Sequence, residues 1–217
     1  MKNDAGKIFY EKEGNNWYSR NSEKLVAKDN MVAEILRLYK IKPKKALEIG
    51  CSNGYQLAYL HEEYGAEVAG VEPSQQAIEE GRKKWPFIKF IRALGETFTP
   101  SGKFDFVFIR NVFCWVSREH LLKSILNIDE SLEEGGILML GDFGTESFLR
   151  RGYHHLPEHE VHTYKQKYQD IFTATGSYRE IAKIVYNHDT REISSDIDNE
   201  NMATISLLKK QDIYTDS

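Results

Sequence analysis

Apolar positions along the 217-residue chain follow two rhythms. Near the start, Leu25, Val32, Leu36 and Tyr39 recur close to helical spacing, with Ile35 beside them. Ser22 can cap this run and Pro43 stops it, which predicts a helix between them. Short apolar runs then alternate with helical ones. The strand-like runs are Ala46–Ile49, Val68–Val71, Ile88–Ile91, Phe106–Ile109 and Ile137–Leu140. Helices are predicted over Tyr55–Tyr64, ending at Gly65, and from Ser74 (after Pro73) to about Lys84. A third is predicted from Ser117 to Gly135-Gly136. Alternation of this kind means βαβ units and a mostly parallel sheet. Burial on both faces explains why Phe106–Ile109 carries no polar alternation.

After Leu140 the rhythm breaks. Residues 144–180 are polar, aromatic and His-rich, with a helical candidate near Tyr164–Phe172. One strand is expected somewhere in 181–197 and one at Ala203–Leu208, with Asp198-Asn199-Glu200-Asn201 as a turn between them. A terminal antiparallel hairpin appended to a parallel sheet fits this. There is no internal repeat, so 1–217 is expected to be one domain. Within it, 1–42 is an N-terminal helical cover and 144–180 a substrate-side insertion.

Composition narrows the class. With 41% hydrophobic and 29% charged residues, the chain can bury a core and is neither fibrous nor mostly disordered. No apolar run approaches the roughly 20 residues that span a bilayer, and MKNDAGKIFYEKEGNN carries no apolar signal core. A net charge of −4 without a long Lys/Arg cluster argues against nucleic acid as a partner. Cys51 and Cys114 are too few for a disulfide framework, so reduced thiols and a cytoplasmic location are expected. A monomer or homodimer acting on a small molecule, with no membrane partner, is the expectation.

The most informative segment is Ala46-Leu-Glu-Ile-Gly-Cys-Ser-Asn-Gly54, which joins the first strand to the first βαβ helix. In a doubly wound sheet this turn lies at the carboxyl edge, where ligands bind. Gly50 and Gly54 allow close backbone approach to a ligand. The following helix directs free N–H groups to the same place. A dinucleotide fingerprint G-x-G-x-x-G would need glycine at Ser52 and Tyr55, and both fail. Instead Glu48 stands two residues before Gly50, an acid that suits a ligand with a cationic or hydroxyl-rich part. The alternative for Glu48 is a strand-end pair with Lys44 or Lys45. Glu72 ends the second strand before Pro73-Ser74, where an acid can accept from both hydroxyls of a ribose.

These residues resemble the class I S-adenosylmethionine-dependent methyltransferases. Glu48-Ile-Gly50-Cys51-Ser52-Asn-Gly54 is similar to the family's first motif, with Ser52 in place of the commoner middle glycine. Glu72 matches the acid that holds the adenosine ribose. Phe90-Ile-Arg-Ala93-Leu94-Gly-Glu96-Thr-Phe98 lies where the third strand leads into the adenine-contacting loop. There the family often has Asp where this chain has Ala93 or Leu94, which leaves adenine to backbone groups or Glu96. Lys103-Phe-Asp-Phe-Val-Phe-Ile-Arg110-Asn111 resembles the fourth strand, and Leu132-Glu-Glu-Gly-Gly136 the turn before the fifth. The resemblance covers roughly 40–215. It implies a Rossmann-like doubly wound α/β fold, with a mostly parallel seven-stranded sheet, and S-adenosyl-L-methionine as cofactor. It also implies cofactor contacts from Glu48, Gly50, Cys51, Ser52, Gly54, Glu72, Pro73, Ala93, Leu94, Glu96, Arg110 and Asn111.

A sulfonium carries its own leaving group, so the protein must orient a nucleophile and exclude water. Phe9, Tyr10, Trp17 and Tyr18 on the N-terminal arm and segment 144–180 are the expected covers, although the arm's aromatics equally suit simple packing. The expected proton acceptors are His155, in a turn set by Gly152 and Pro157, and Asp142 after the fifth strand. Trp115, Tyr153, His159 and Tyr164 are expected against the acceptor. His155, His159 and His162 match no zinc spacing and Pro157 interrupts a helix there, so no metal site is expected. Cys51 and Cys114 read as buried small hydrophobes in preference to a catalytic thiol pair. The expected activity is methyl transfer to oxygen, nitrogen or carbon of a polar small molecule, such as a sugar or sugar nucleotide. The alternatives are an NAD-dependent oxidoreductase and a non-catalytic S-adenosylmethionine-binding domain.

Overall fold

The computed structural model describes residues 5–25, 31–194 and 196–214. Its main sheet contains β1 (Lys45–Ile49), β2 (Glu67–Glu72), β3 (Lys89–Arg92), β4 (Phe104–Arg110) and β5 (Leu132–Phe143). It is completed by the C-terminal β8 (Tyr178–Asn187) and β9 (Met202–Lys210). The order across the sheet is β3-β2-β1-β4-β5-β9-β8. The first five strands pair in parallel, and β9 lies antiparallel between β5 and β8. The expected seven-stranded sheet with a terminal hairpin is therefore present. The remaining two strands, β6 (Leu149–Gly152) and β7 (His162–Lys165), form a separate antiparallel pair.

Strand β4 shows why the parallel strands read as unbroken apolar runs. Phe106 and Phe108 pack on one face with Val32, Leu36 and Leu60, while Val107 and Ile109 pack on the other with Leu121 and Ile128. Burying each such side chain contributes roughly 1.5–3 kcal/mol. Helix α4 (Tyr55–Tyr64) ends at Gly65 in a left-handed cap, as its sequence predicted. Helix α5 (Gln75–Lys84) starts from Ser74, whose Oγ accepts from Ala77 N at 3.1 Å.

Three elements differ from expectation. Helix α6 (Arg118–Ser131) stops before Gly135-Gly136, because Leu132 is already extended and pairs with Phe104. Segment 144–180 carries β6 and β7 ahead of a short helix, α7 (Tyr168–Thr173), where one helical run was expected near Tyr164–Phe172. The N-terminal aromatics also lie on helices of their own: α1 (Ala5–Ile8), a π-helical turn at Phe9–Glu13, and α2 (Gly14–Asn21). The run expected to extend from Ser22 to Tyr39 is a 3-10 turn at Ser22–Lys24 and helix α3 (Met31–Leu38). Its positions 26–30 lie outside the described residues. Among the described residues no helix is long and apolar enough to cross a membrane.

β1 pairs with β2 on one side and with β4 on the other. The chain after β1 runs to β2 on one side and the chain after β4 runs to β5 on the other, so a crevice opens at their carboxyl ends.

Candidate active site

That crevice is a cleft of about 470 Å³, within the range of roughly 300–1,000 Å³ typical of small-molecule sites. The loop after β1 builds its floor. Gly50 has φ +75°, and a Cβ there would stand 2.3 Å from Val112 Cγ2. Gly54 has φ +81° and caps α4; a Cβ there would meet Ile88 and Phe90. Ser52, in the family's glycine position, also takes a left-handed φ of +52°. Hydrogen bonds hold this loop. Gly50 N donates to Val71 O at 2.7 Å and Ser52 N donates to Glu72 Oε2 at 2.8 Å. The other Glu72 oxygen accepts from Ser74 N at 2.8 Å.

Glu72 is thus fixed by two amides and still borders the cleft. Burial raises its carboxyl to about 7, against the lowering effect of those amides. Glu48 is 2% exposed. Its Oε1 accepts from Gln56 Nε2 at 2.7 Å, and its Oε2 has no partner. Burial pushes its carboxyl well above the carboxylate range, and the Arg110 charge opposes this. Lys45 Nζ lies over the Phe104 ring, 5.4 Å from its centroid, and the Glu48 carboxylate is bonded to Gln56 with its other oxygen unpartnered, so a strand-end lysine pair is not what holds Glu48.

Orphaned polar atoms concentrate here. Glu48 Oε2, Ser52 Oγ, Arg110 Nε, Asn111 Oδ1 and Ser117 Oγ are buried without partners, and all five residues line this cleft. Buried polar groups are normally hydrogen-bonded, so such a ring marks a surface built for a polar ligand. Glu72 and Pro73 lie on the β2 side, Ala93, Leu94 and Glu96 on the β3 side, and Trp115 after β4. Cys51 and Gly54 do not line the cleft. Cys51 is buried, with its sulfur packed toward Gly70, and burial pushes both its thiol and that of Cys114 well up. Neither is poised as a thiolate.

The acceptor-side expectations need correction. No residue of 144–180 lines the cleft. His155 is exposed beside Tyr153, and His159 pairs with Glu158 at 3.6 Å. Tyr164 is stacked under the Arg118 guanidinium, 4.1 Å from its ring. Tyr153 is buried between Phe9 and Trp115, with its hydroxyl engaged by Glu13 and Arg20. Asp142, also expected as a proton acceptor, faces backbone. Its Oδ2 accepts from Cys114 N at 3.1 Å and its Oδ1 from Phe143 N at 2.8 Å. It fixes the loop that carries Trp115 and does not line the cleft. Among the described residues no group of three or more His, Cys, Asp or Glu side chains is arranged to hold a metal.

Other residues take that side. Phe9, Trp17 and Lys24 come from the N-terminal cover, and Tyr186, His188 and Arg191 from the end of β8 and the turn beyond. Burial holds the His188 imidazole below its ordinary value; Asp189 opposes this, and Lys165 and Arg110 add to it. Its ring packs 4.5 Å from that of Phe143. The strand expected within 181–197 is β8, Tyr178–Asn187, and its end carries no Gly or Pro to mark where Tyr186, His188 and Arg191 would turn into the cleft.

A methyltransferase domain model matches residues 23–178. A trans-aconitate 2-methyltransferase of Rhodopseudomonas palustris is 34% identical over 99 residues, 45% of this chain and 38% of the relative. A malonyl-[acyl-carrier protein] O-methyltransferase of Legionella pneumophila is 26% identical over 165 residues, 72% of this chain and 50% of the relative. The chain thus spans half or less of these curated relatives. Among solved structures, the 1,6-didemethyltoxoflavin-N1-methyltransferase of Burkholderia thailandensis superposes with a TM-score of 0.72 at 11% identity, covering 98% of this chain and 92% of that one. The N-methyltransferase NodS of Bradyrhizobium japonicum gives 0.59 at 16% identity, covering 89% and 97%. The glycine loop, the acid at the end of β2 and the family match agree: the chain belongs to the class I methyltransferase domain family.

Proposed function

We propose that this chain transfers a methyl group from S-adenosylmethionine to a polar small molecule. The observation that carries the reading is the ring of buried unpartnered polar atoms around the ends of β1 and β4, with Glu72 beside it at the end of β2. Of these, Glu48, Ser52 and Asn111, together with Glu72, fit the cofactor, while Arg110 is left for the acceptor. Each Glu72 oxygen accepts one amide and keeps a lone pair, so the carboxylate is preset to accept from ribose hydroxyls. Glu48 Oε2 suits the ammonium of the cofactor's amino-acid end. Ala93, Leu94 and Glu96 border the place left for adenine.

When bound, the cofactor supplies an electrophilic methyl group on a sulfonium. The chain's own part is to orient the acceptor, exclude water and take up any proton released. Phe9, Trp17 and Trp115 wall the cleft against solvent. His188 replaces His155 and Asp142 as the proton-accepting group, because it lines the cleft and its lowered value keeps the imidazole neutral at pH 7. Two curated relatives act on trans-aconitate, a tricarboxylate, and on a malonyl thioester, which carries a carboxylate. That favours a carboxylate-bearing acceptor over a sugar.

Calorimetric titration with S-adenosylhomocysteine tests the reading. Each hydrogen bond to a charged carboxylate is worth about 1.5–3 kcal/mol, so Glu72→Gln should weaken binding about tenfold or more with the fold intact. Unchanged affinity would place the ribose elsewhere. Absence of binding to the unaltered protein would defeat the methyl-transfer reading itself.

A further inference from the structure

We propose that Arg110, with Tyr186 and His188, forms a carboxylate-binding site on the β8 side of the cleft, and that the acceptor supplies the carboxylate. This rests on reading the cleft as a methyl-transfer site. Arg110 ends β4. Its Nη1 donates to the neutral amide oxygen of Gln56 at 2.9 Å, and its Nε is buried without a partner. A guanidinium cannot shed its charge at ordinary pH, so a partly buried one calls for an anion. Glu48 feels the Arg110 charge and shares Gln56 with it but makes no direct bond to it, because Glu48 Oε2 and Arg110 Nε are both left without partners.

The surroundings add donors. Tyr186 and His188 both feel the Arg110 charge and both line the cleft. Phe143 fixes the His188 ring from behind. Arg191, from the turn after β8, borders the same space. In a chain of net charge −4, this gathering is not a general surface property. Glu72 and Glu96 stand on the β2 and β3 side of the cleft, whereas on the β8 side a single acid among the lining residues, Asp189, stands beside Arg110, His188 and Arg191. An anionic acceptor is repelled from the β2 and β3 side and attracted toward β8. The planar guanidinium fork matches a carboxylate bidentately. The cofactor's own amino-acid end also carries a carboxylate. We assign the site to the acceptor because Tyr186, His188 and Arg191 all come from β8 and the turn after it, outside the segments that carry the glycine loop and Glu72.

The test is calorimetry on the full chain at pH 7, with and without saturating S-adenosylhomocysteine. Probes are malonate and trans-aconitate, with dimethyl malonate as the neutral control. The unaltered protein should bind at least one carboxylate and not the diester. Arg110→Gln should weaken that binding about tenfold or more, His188→Asn should weaken it to a lesser degree, and Arg110→Lys should restore part of it. S-adenosylhomocysteine affinity should change little in all three variants, which also shows that they are folded. If neither carboxylate binds, or both bind all variants alike, the proposal fails. If Arg110→Gln weakens S-adenosylhomocysteine but not methylthioadenosine, which lacks the amino-acid end, Arg110 serves the cofactor and the proposal is overturned. Failure of S-adenosylhomocysteine to bind the unaltered protein would instead remove the methyl-transfer reading beneath it.

Discussion

The Tyr153 hydroxyl donates to Glu13 Oε1 at 2.7 Å, joining residues 140 positions apart. Arg20 completes the group by donating to both Glu13 and Tyr153. Glu13 is 1% exposed and Tyr153 is 3% exposed, so this polar knot sits in a dry environment. It ties the N-terminal helices to the segment between β6 and β7. Beside it, Ala5, Leu156 and Val161 pack with Phe9 and Trp115, the aromatic rings that wall the cleft. The cover is therefore one body made from two distant stretches of chain.

Removing one partner from a buried polar pair costs about 1–3 kcal/mol. Tyr153→Phe should lower unfolding stability within that range. Amide exchange should rise in residues 5–21 and 149–165 together. Faster exchange in only one of the two stretches would show that the cover is not a single body.

Glu72 couples the cleft to pH. Its folded-state value of about 7 lies above the ordinary 4.5 because of burial. The folded state holds this proton more tightly than the unfolded one. Its contribution is thus complete below about pH 4.5 and is lost as pH rises through about 7, a change on the order of 3 kcal/mol. Thermal unfolding of Glu72→Gln should show a shallower decline between pH 5 and 8 than the unaltered protein. Hydroxyl donors favour the ionised carboxylate. Binding of S-adenosylhomocysteine near pH 6.5 should then release protons, seen as a buffer-dependent heat that Glu72→Gln abolishes.

Gly50→Ala should damage the cleft more than its single methyl suggests. The new Cβ would stand 2.3 Å from Val112 Cγ2 at a backbone φ of +75°. Either the loop after β1 or the Val112 segment after β4 must move. An affinity loss of about tenfold or more for S-adenosylhomocysteine is expected, since displaced contacts of roughly 1.4 kcal/mol suffice for it. Wild-type affinity in this variant would mean that the loop does not face the cofactor.

Asp142→Asn separates support from chemistry. One amide oxygen can replace only one of the two carboxylate oxygens that receive Cys114 N and Phe143 N. A stability loss of about 1–3 kcal/mol is expected. Since Asp142 does not line the cleft, the pH dependence of turnover should keep its shape. A displaced acidic limb in kcat would restore Asp142 as a proton acceptor.

Local spacing carried much of this protein. The runs around Ala46, Val68 and Phe106 sit in strands because parallel strands bury both faces and so read as unbroken apolar stretches. Gly65 and Ser74 marked helix ends through backbone conformation and capping, which depend on immediate neighbours. Glu48, Gly50, Ser52 and Glu72 were legible because the loop after β1 and the end of β2 are built from short contiguous segments. The other half of the cleft was decided only by tertiary structure. His155 and Asp142 have suitable chemistry, but one points to solvent and the other to backbone amides. His188 and Tyr186 reach the cleft because β9 inserts antiparallel beside β5 and brings β8 to the sheet edge. No spacing along the chain records that crossing, nor the meeting of Glu13 with Tyr153. Both arise where segments far apart in sequence pack on one another, and that is a property of the assembled sheet and its cover.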